Sequence, residues 1–146
     1  MKPVHNSPNS ASSIEAPLCT AFDPNPRHPQ IKLPPLSCDT QAHICGPPDL
    51  YPYYAERIYT PPDSLVADYQ HQLSTVGVDR AVLVQPTVYG TDDSAMLDAI
   101  TTAGPQFCGV AVVTDDIAED DLARCRSISW NASPCGSHHL AGIWSC

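Results

Sequence analysis

Between residues 63 and 124 the chain alternates two kinds of apolar pattern, and that alternation limits the fold more than any other feature. Leu65, Tyr69, Leu73 and Val76 recur at helical spacing behind Asp63-Ser64, which reads as an N-cap pair, and Gly77 supplies the stop. Residues 80 to 86, Arg-Ala-Val-Leu-Val-Gln-Pro, then form a run of β-formers without alternation, the pattern of a strand buried on both faces. Asp92-Asp93 caps a second helix, Met96, Leu97, Ile100 and Ala103 form its inner face, and Gly104-Pro105 ends it. Phe107 to Val113 reads as another buried strand, and Asp116-Ile117-Ala118-Glu119 as a capping box opening a helix that carries Ile117 and Leu122. With a first strand around Cys38 to Ile44, the order strand, helix, three times over, is that of an α/β protein with a parallel sheet.

Outside that region the texture changes. Of the 16 prolines, 13 fall at or before Pro62, and residues 1–35 add Asn and Ser with few apolar groups. Such a mixture cannot offset its chain entropy by burial, so an extended or disordered arm is expected there. After Arg124 no period of 2 or 3.6 survives, although the starts of the last two strands lie 27 residues apart (107 − 80) and a fourth strand is due. Residues 125–146 hold both tryptophans, three of the 7 cysteines and the pair His138-His139, and are expected to form an irregular tail translated out of the ancestral frame. The organisation read from sequence is therefore an arm over 1–35, a folded region over 36–124 and a tail over 125–146.

Composition removes several functions. A net charge of −9 with only 7 Lys and Arg leaves no basic surface for a nucleic-acid backbone. No apolar run approaches the roughly 20 residues of a membrane-spanning helix, and the N-terminus lacks a charged start with an apolar core, so the chain reads as cytoplasmic. The cysteine count is odd and no CxxC pair occurs, which favours free thiols over a disulfide scaffold or a structural zinc site.

The polar residues Asp39, Gln41 and His43 stand at alternate positions in the first strand, so on a regular strand all three point one way. Read alone, His43 is equally a histidine bonded to backbone, Tyr59 a packing aromatic beside Pro61-Pro62, and Thr87 a strand-end cap. The exit through Gly46-Pro47-Pro48 lacks the glycines and N–H donors of a phosphate loop, which weighs against a small doubly wound nucleotide-binding domain.

Several strings occur here in one order: Cys38-Asp39-Thr40-Gln41-Ala42-His43-Ile44, Gly46-Pro47-Pro48, Tyr51-Pro52-Tyr53, Ala55-Glu56-Arg57, Tyr59-Thr60-Pro61 and Val84-Gln85-Pro86-Thr87-Val88-Tyr89-Gly90-Thr91-Asp92. From about Leu36 to Arg124 the chain resembles the N-terminal part of an amidohydrolase, in the branch containing 2-pyrone-4,6-dicarboxylate lactonase. The resemblance implies an incomplete TIM-type (β/α)8 barrel, of which this chain supplies three βα units, with the chemistry at the C-terminal strand ends. It implies Gln41 and His43 at the end of the first strand, Gln85 and Thr87 at the end of the second, and Thr114 and Asp115 at the end of the third.

In the wider superfamily the first strand ends in two histidines that bind a divalent metal. Here the first is Gln41, an amide that ligates zinc poorly, so no cofactor is expected, with His43 the one candidate ligand if zinc binds at all. The lactonase branch implies that Gln41 and His43 polarise the scissile carbonyl. Tyr59 and Thr87 match positions that contact a substrate carboxylate, with Gln85 beside them, so the expected partner is a small anionic substrate. The water-activating aspartate and the substrate-gripping arginines belong to later strands that this sequence does not contain. Two readings follow: the N-terminal part of a hydrolase acting on a lactone or amide, or a truncated or frameshifted product without activity that self-associates through exposed barrel surface.

Overall fold

The computed structural model describes residues 16–130. Three parallel strands, β1 (Cys38–Ala42), β2 (Arg80–Val84) and β3 (Phe107–Val110), form a sheet in the order β1-β2-β3. Helices α1 (Val66–Val76) and α2 (Ser94–Ala103) connect successive strands, a 3₁₀ turn spans Thr87–Tyr89, and α3 (Glu119–Trp130) follows β3. Each strand thus runs into a helix that returns the chain to the next parallel strand, as the sequence pattern predicts.

The core lies on one face of the sheet. Ala81 and Leu83 of β2, Phe107 of β3, Tyr69 and Leu73 of α1, and Met96 and Ile100 of α2 pack as one cluster. Phe107 meets Tyr69 edge to face, with ring centroids 5.9 Å apart. A Cβ at Gly109 would stand 2.7 Å from Ile100 Cδ1 and 3.0 Å from Met96 Sδ, so glycine is what lets α2 lie this close to β3.

The opposite face differs from expectation. Val82 and Val84, with their register partners Cys108 and Val110, are only half-buried, whereas Ala81 and Leu83 are 1% and 0% exposed. The unbroken apolar run is real, but these side chains belong to neither core cluster of the described residues. In a closed barrel these side chains would fill the interior.

The first strand also departs from simple alternation. Asp39 pairs with Ala81 and Ala42 with Leu83, so three steps along β1 match two along β2 and a bulge lies between them. Both oxygens of Asp39 take part: Oδ2 accepts the Tyr69 hydroxyl at 2.9 Å and Oδ1 accepts the Gln41 N–H at 3.1 Å. Asp39 therefore faces α1, and the three polar residues do not share one face.

Helix boundaries shift for local reasons. Leu65, not Asp63-Ser64, caps α1, because Ser64 exchanges two backbone hydrogen bonds with Cys45, at 2.7 and 3.1 Å. The Asp68 carboxylate accepts the Leu65 N–H at 3.2 Å, and Gly77 closes the helix in the left-handed region at φ 78°. The helix expected from Asp116 begins at Glu119, since Ile117 N–H is spent on the Thr114 carbonyl in a preceding turn. It then runs helically to Trp130, so residues 125–130 of the expected irregular tail are helical; with no Gly or Pro among them, nothing local breaks the backbone ladder.

Residues 16–35 hold no helix or strand beyond one bridge, Leu18 to Thr60. They are nonetheless tied to α1, by His28 Nδ1–H to the Thr75 carbonyl at 2.9 Å and Gln72 Nε2 to the Asp23 carbonyl at 3.5 Å. The remainder of the expected arm, residues 1–15, and the tail with Cys135 and His138-His139 lie outside the described residues.

Candidate active site

The polar residues that sequence singled out gather where β1 and β2 end. Ala42 and Leu83 are the last paired residues of the β1–β2 ladder, which leaves the carbonyl of Val84 without a strand partner on that side. The exposed imidazole of His43 fills the gap, with Nδ1 2.8 Å from the Val84 oxygen. Gln41 is also exposed, and its side-chain amide makes no hydrogen bond to a described residue.

Tyr59 and Thr87 meet across 28 residues of sequence, with Thr87 Oγ1 donating to the Tyr59 hydroxyl at 3.5 Å. Neighbouring contacts hold both. Thr60 N–H donates to the Pro17 carbonyl at 2.8 Å, the Thr60 carbonyl accepts from Cys19 N–H at 2.9 Å, and Arg57 Nε reaches Thr60 Oγ1 at 3.2 Å. The 3₁₀ turn carrying Thr87 is anchored by Tyr89, whose buried hydroxyl accepts the Gly46 N–H at 2.9 Å. Burial pushes the Tyr89 hydroxyl well above the usual phenol range, so it stays protonated. Its ring lies 5.4 Å from that of Tyr53, over which the Arg57 guanidinium sits at 5.2 Å. A Cβ at Gly46 would collide with the ring of Tyr51, which accounts for glycine at that exit.

Gln85 is placed differently. Its side chain is 4% exposed, its Nε2 donates to the Asp92 carbonyl at 2.7 Å, and its Oε1 has no partner among the described residues. Thr114 and Asp115 lie four and five residues past the last residue of β3 and are exposed.

Two contacts at this end of the sheet were not foreseen. One is the Val84 carbonyl beneath His43, a backbone group with no sequence signal. The other is Asp93, expected only as a helix cap, whose Oδ1 accepts the Val112 N–H at 3.2 Å. Burial pushes the Asp93 carboxyl up to about 6, against the opposing pull of that hydrogen bond.

Two clefts among the described residues lie away from His43, Gln41, Tyr59 and Thr87. One, of about 450 Å³, lies between the first turns of α2 and α3 and includes Asp93, Thr114 and Asp121. The other, of about 360 Å³, lies between the arm and α1 and includes Phe22, Asp39 and Tyr69. Gln41, His43 and Thr87 are exposed, and Tyr59 is half-buried against the cluster of Val88, Tyr89 and Ala95. Among the described residues, no three His, Cys, Asp or Glu side chains converge to hold a metal ion.

Comparison with known proteins bears on this arrangement. The sequence model of a family described as Amidohydrolase matches residues 38–127. The 4-sulfomuconolactone hydrolase of Hydrogenophaga intermedia is 38% identical over 94 residues, which cover 64% of this chain and 31% of that protein. A 2-pyrone-4,6-dicarboxylate hydrolase of Comamonas testosteroni is 39% identical over 100 residues, 68% of this chain and 33% of that protein. Among solved structures, that of a probable 2-pyrone-4,6-dicarboxylic acid hydrolase of Acinetobacter baumannii with citric acid bound superposes with a TM-score of 0.60 at 26% identity, covering 64% of this chain and 35% of that one. The chain spans about a third of the length of the relatives it matches.

Proposed function

We propose, from the premise that this chain belongs to the amidohydrolase family, that it carries the first three βα units of a lactone hydrolase acting on a small carboxylated cyclic ester. The observation that carries this reading is the pairing of Tyr59 with Thr87 at the strand ends where His43 and Gln41 stand. Two neutral hydroxyls side by side can both donate to a carboxylate without introducing charge. The exposed Gln41 amide is free to donate to an ester carbonyl, stabilising the charge that develops when water adds. Gln85, buried beneath, supports the loop that carries Thr87 through its bond to Asp92.

Relatives named for hydrolysis of a sulfomuconolactone and of a pyrone dicarboxylate support that substrate class. The half-buried inner face of the sheet supports a second statement, that these three units bind part of the substrate and do not complete a turnover by themselves.

Binding of 2-pyrone-4,6-dicarboxylate to the 146-residue chain, followed by backbone amide NMR, tests the reading. Shifts at Tyr59, Thr87 and Gln41 are expected, with Thr87→Ala weakening binding about tenfold, the equivalent of one hydrogen bond to a charged group. Binding unaffected by Thr87→Ala and Tyr59→Phe together would remove the carboxylate site.

A further inference from the structure

We infer that Thr60 is a positioning residue that sets Tyr59 for a substrate carboxylate, and that the N-terminal arm, through residues 16–19, holds Thr60 in place. This inference rests on the lactone-hydrolase reading for its ligand and on hydrogen bonding alone for the placement.

The N–H, the carbonyl and the hydroxyl of Thr60 are all engaged. Its N–H donates to the Pro17 carbonyl at 2.8 Å, and its carbonyl accepts the Cys19 N–H at 2.9 Å. Its hydroxyl donates to the Ala16 carbonyl at 3.1 Å and accepts the Arg57 Nε–H at 3.2 Å. Ala16, Pro17 and Cys19 belong to the arm, and Arg57 is itself held over the Tyr53 ring. The arm makes these contacts with little burial, since Pro17, Leu18 and Cys19 are exposed, Leu18 at 83%. Backbone pairing, not apolar packing, is what joins the arm to this point of the chain.

Tyr59 itself makes no backbone hydrogen bond to a described residue. Its ring packs beside Val88, Tyr89 and Ala95, and apolar contact, being non-directional, does not fix how far the hydroxyl reaches. Direction comes from the next residue. The Tyr59 carbonyl and the Thr60 N–H share one planar peptide, so the bond to Pro17 orients the plane by which the chain leaves Tyr59. Tyr53 braces the following residue, its hydroxyl donating to the Pro61 carbonyl at 3.4 Å. Held in this way, the Tyr59 hydroxyl stands 3.5 Å from Thr87 Oγ1, and the pair meets a carboxylate already ordered. Without the bonds of Thr60, the cost of ordering that side chain falls on binding. The arm thus belongs to the carboxylate site by acting through Thr60.

NMR of the 146-residue chain, with 2-pyrone-4,6-dicarboxylate as the probe, tests this through three variants. Thr60→Val keeps the side-chain shape and removes both hydroxyl bonds, whereas Thr60→Ser keeps them. Cys19→Pro removes the N–H that reaches the Thr60 carbonyl, at a position whose side chain is exposed. The nuclear Overhauser contact between the Tyr59 ring and the Thr87 side chain should be present in the parent and in Thr60→Ser, and weakened in Thr60→Val and in Cys19→Pro. Affinity for the pyrone should stay at the parent level in Thr60→Ser and fall about two- to tenfold in the other two, the cost of ordering one side chain on binding. A ring contact of parent strength in Thr60→Val overturns the role of Thr60, and one of parent strength in Cys19→Pro overturns that of the arm. A weakened contact with unchanged affinity overturns the link to the carboxylate. If the parent does not bind the pyrone, the lactone-hydrolase reading falls, and the ring contact alone decides whether Thr60 and the arm place Tyr59.

Discussion

Asp93, at the head of α2, accepts the backbone N–H of Val112, beyond the end of β3, at 3.2 Å. This carboxyl is 8% exposed, and burial, with a smaller contribution from the charge of Asp92, pushes it up to about 6 from an ordinary value of 3.8. A group that holds its proton more tightly folded than unfolded makes the folded state the better proton binder in that interval. Stability therefore falls as pH rises from about 4 to about 6 and levels off above. Thermal melts at pH 5 and pH 7.5 should show the higher midpoint at pH 5. Asp93→Asn, whose amide oxygen still accepts from Val112, should reduce that difference; an unchanged difference would mean that another group sets it.

A second carboxylate ties α1 to β1. Because the Asp39 oxygens are shared between Tyr69 and Gln41, removing the tyrosine hydroxyl loosens both the helix contact and the bulge. Tyr69→Phe should destabilise the chain by about 1.5 to 3 kcal/mol, the cost of one hydrogen bond to a charged group, as read in denaturant melts. It should also shift the Gln41 amide resonance, which a loss of packing confined to the helix would leave in place.

The half-buried face of the sheet makes its own prediction. Val82, Val84 and Val110 are half-buried and belong to neither core cluster, and among the described residues β1 and β3 each pair with β2 alone. We expect the isolated chain to bind an apolar dye and to associate in sedimentation at micromolar concentration. Val82→Lys, placed in the centre of that face, should reduce both. A clean monomer that excludes the dye would show that the face is covered.

The order of elements was legible because α1 and α2 repeat apolar residues at 3.6 spacing ahead of Gly77 and Gly104, and β2 is a short β-branched run between them. The bulge in β1 was not, since it depends on Asp39 finding Tyr69, 30 residues away. The cap of α1 was misread for a similar reason: Ser64 is a good local cap, but its backbone is drawn into pairing with Cys45. Of the candidate site, Tyr59 and Thr87 could be named from motif order, and the structure brings their hydroxyls together. The anchor of His43 could not, because a backbone carbonyl at a ladder end leaves no trace in sequence.

The central claim is that this chain carries the substrate-binding strand ends of a lactone hydrolase and needs the remaining barrel to turn over. The direct measurement joins residues 36–127 in register to the later βα units of the Comamonas testosteroni relative and follows opening of 2-pyrone-4,6-dicarboxylate by its absorbance. The account predicts turnover by the joined protein, a loss on the order of 10²-fold in kcat on His43→Ala, and none by the 146-residue chain alone. A folded joined protein that leaves the pyrone intact, or turnover by the 146-residue chain itself, would contradict it.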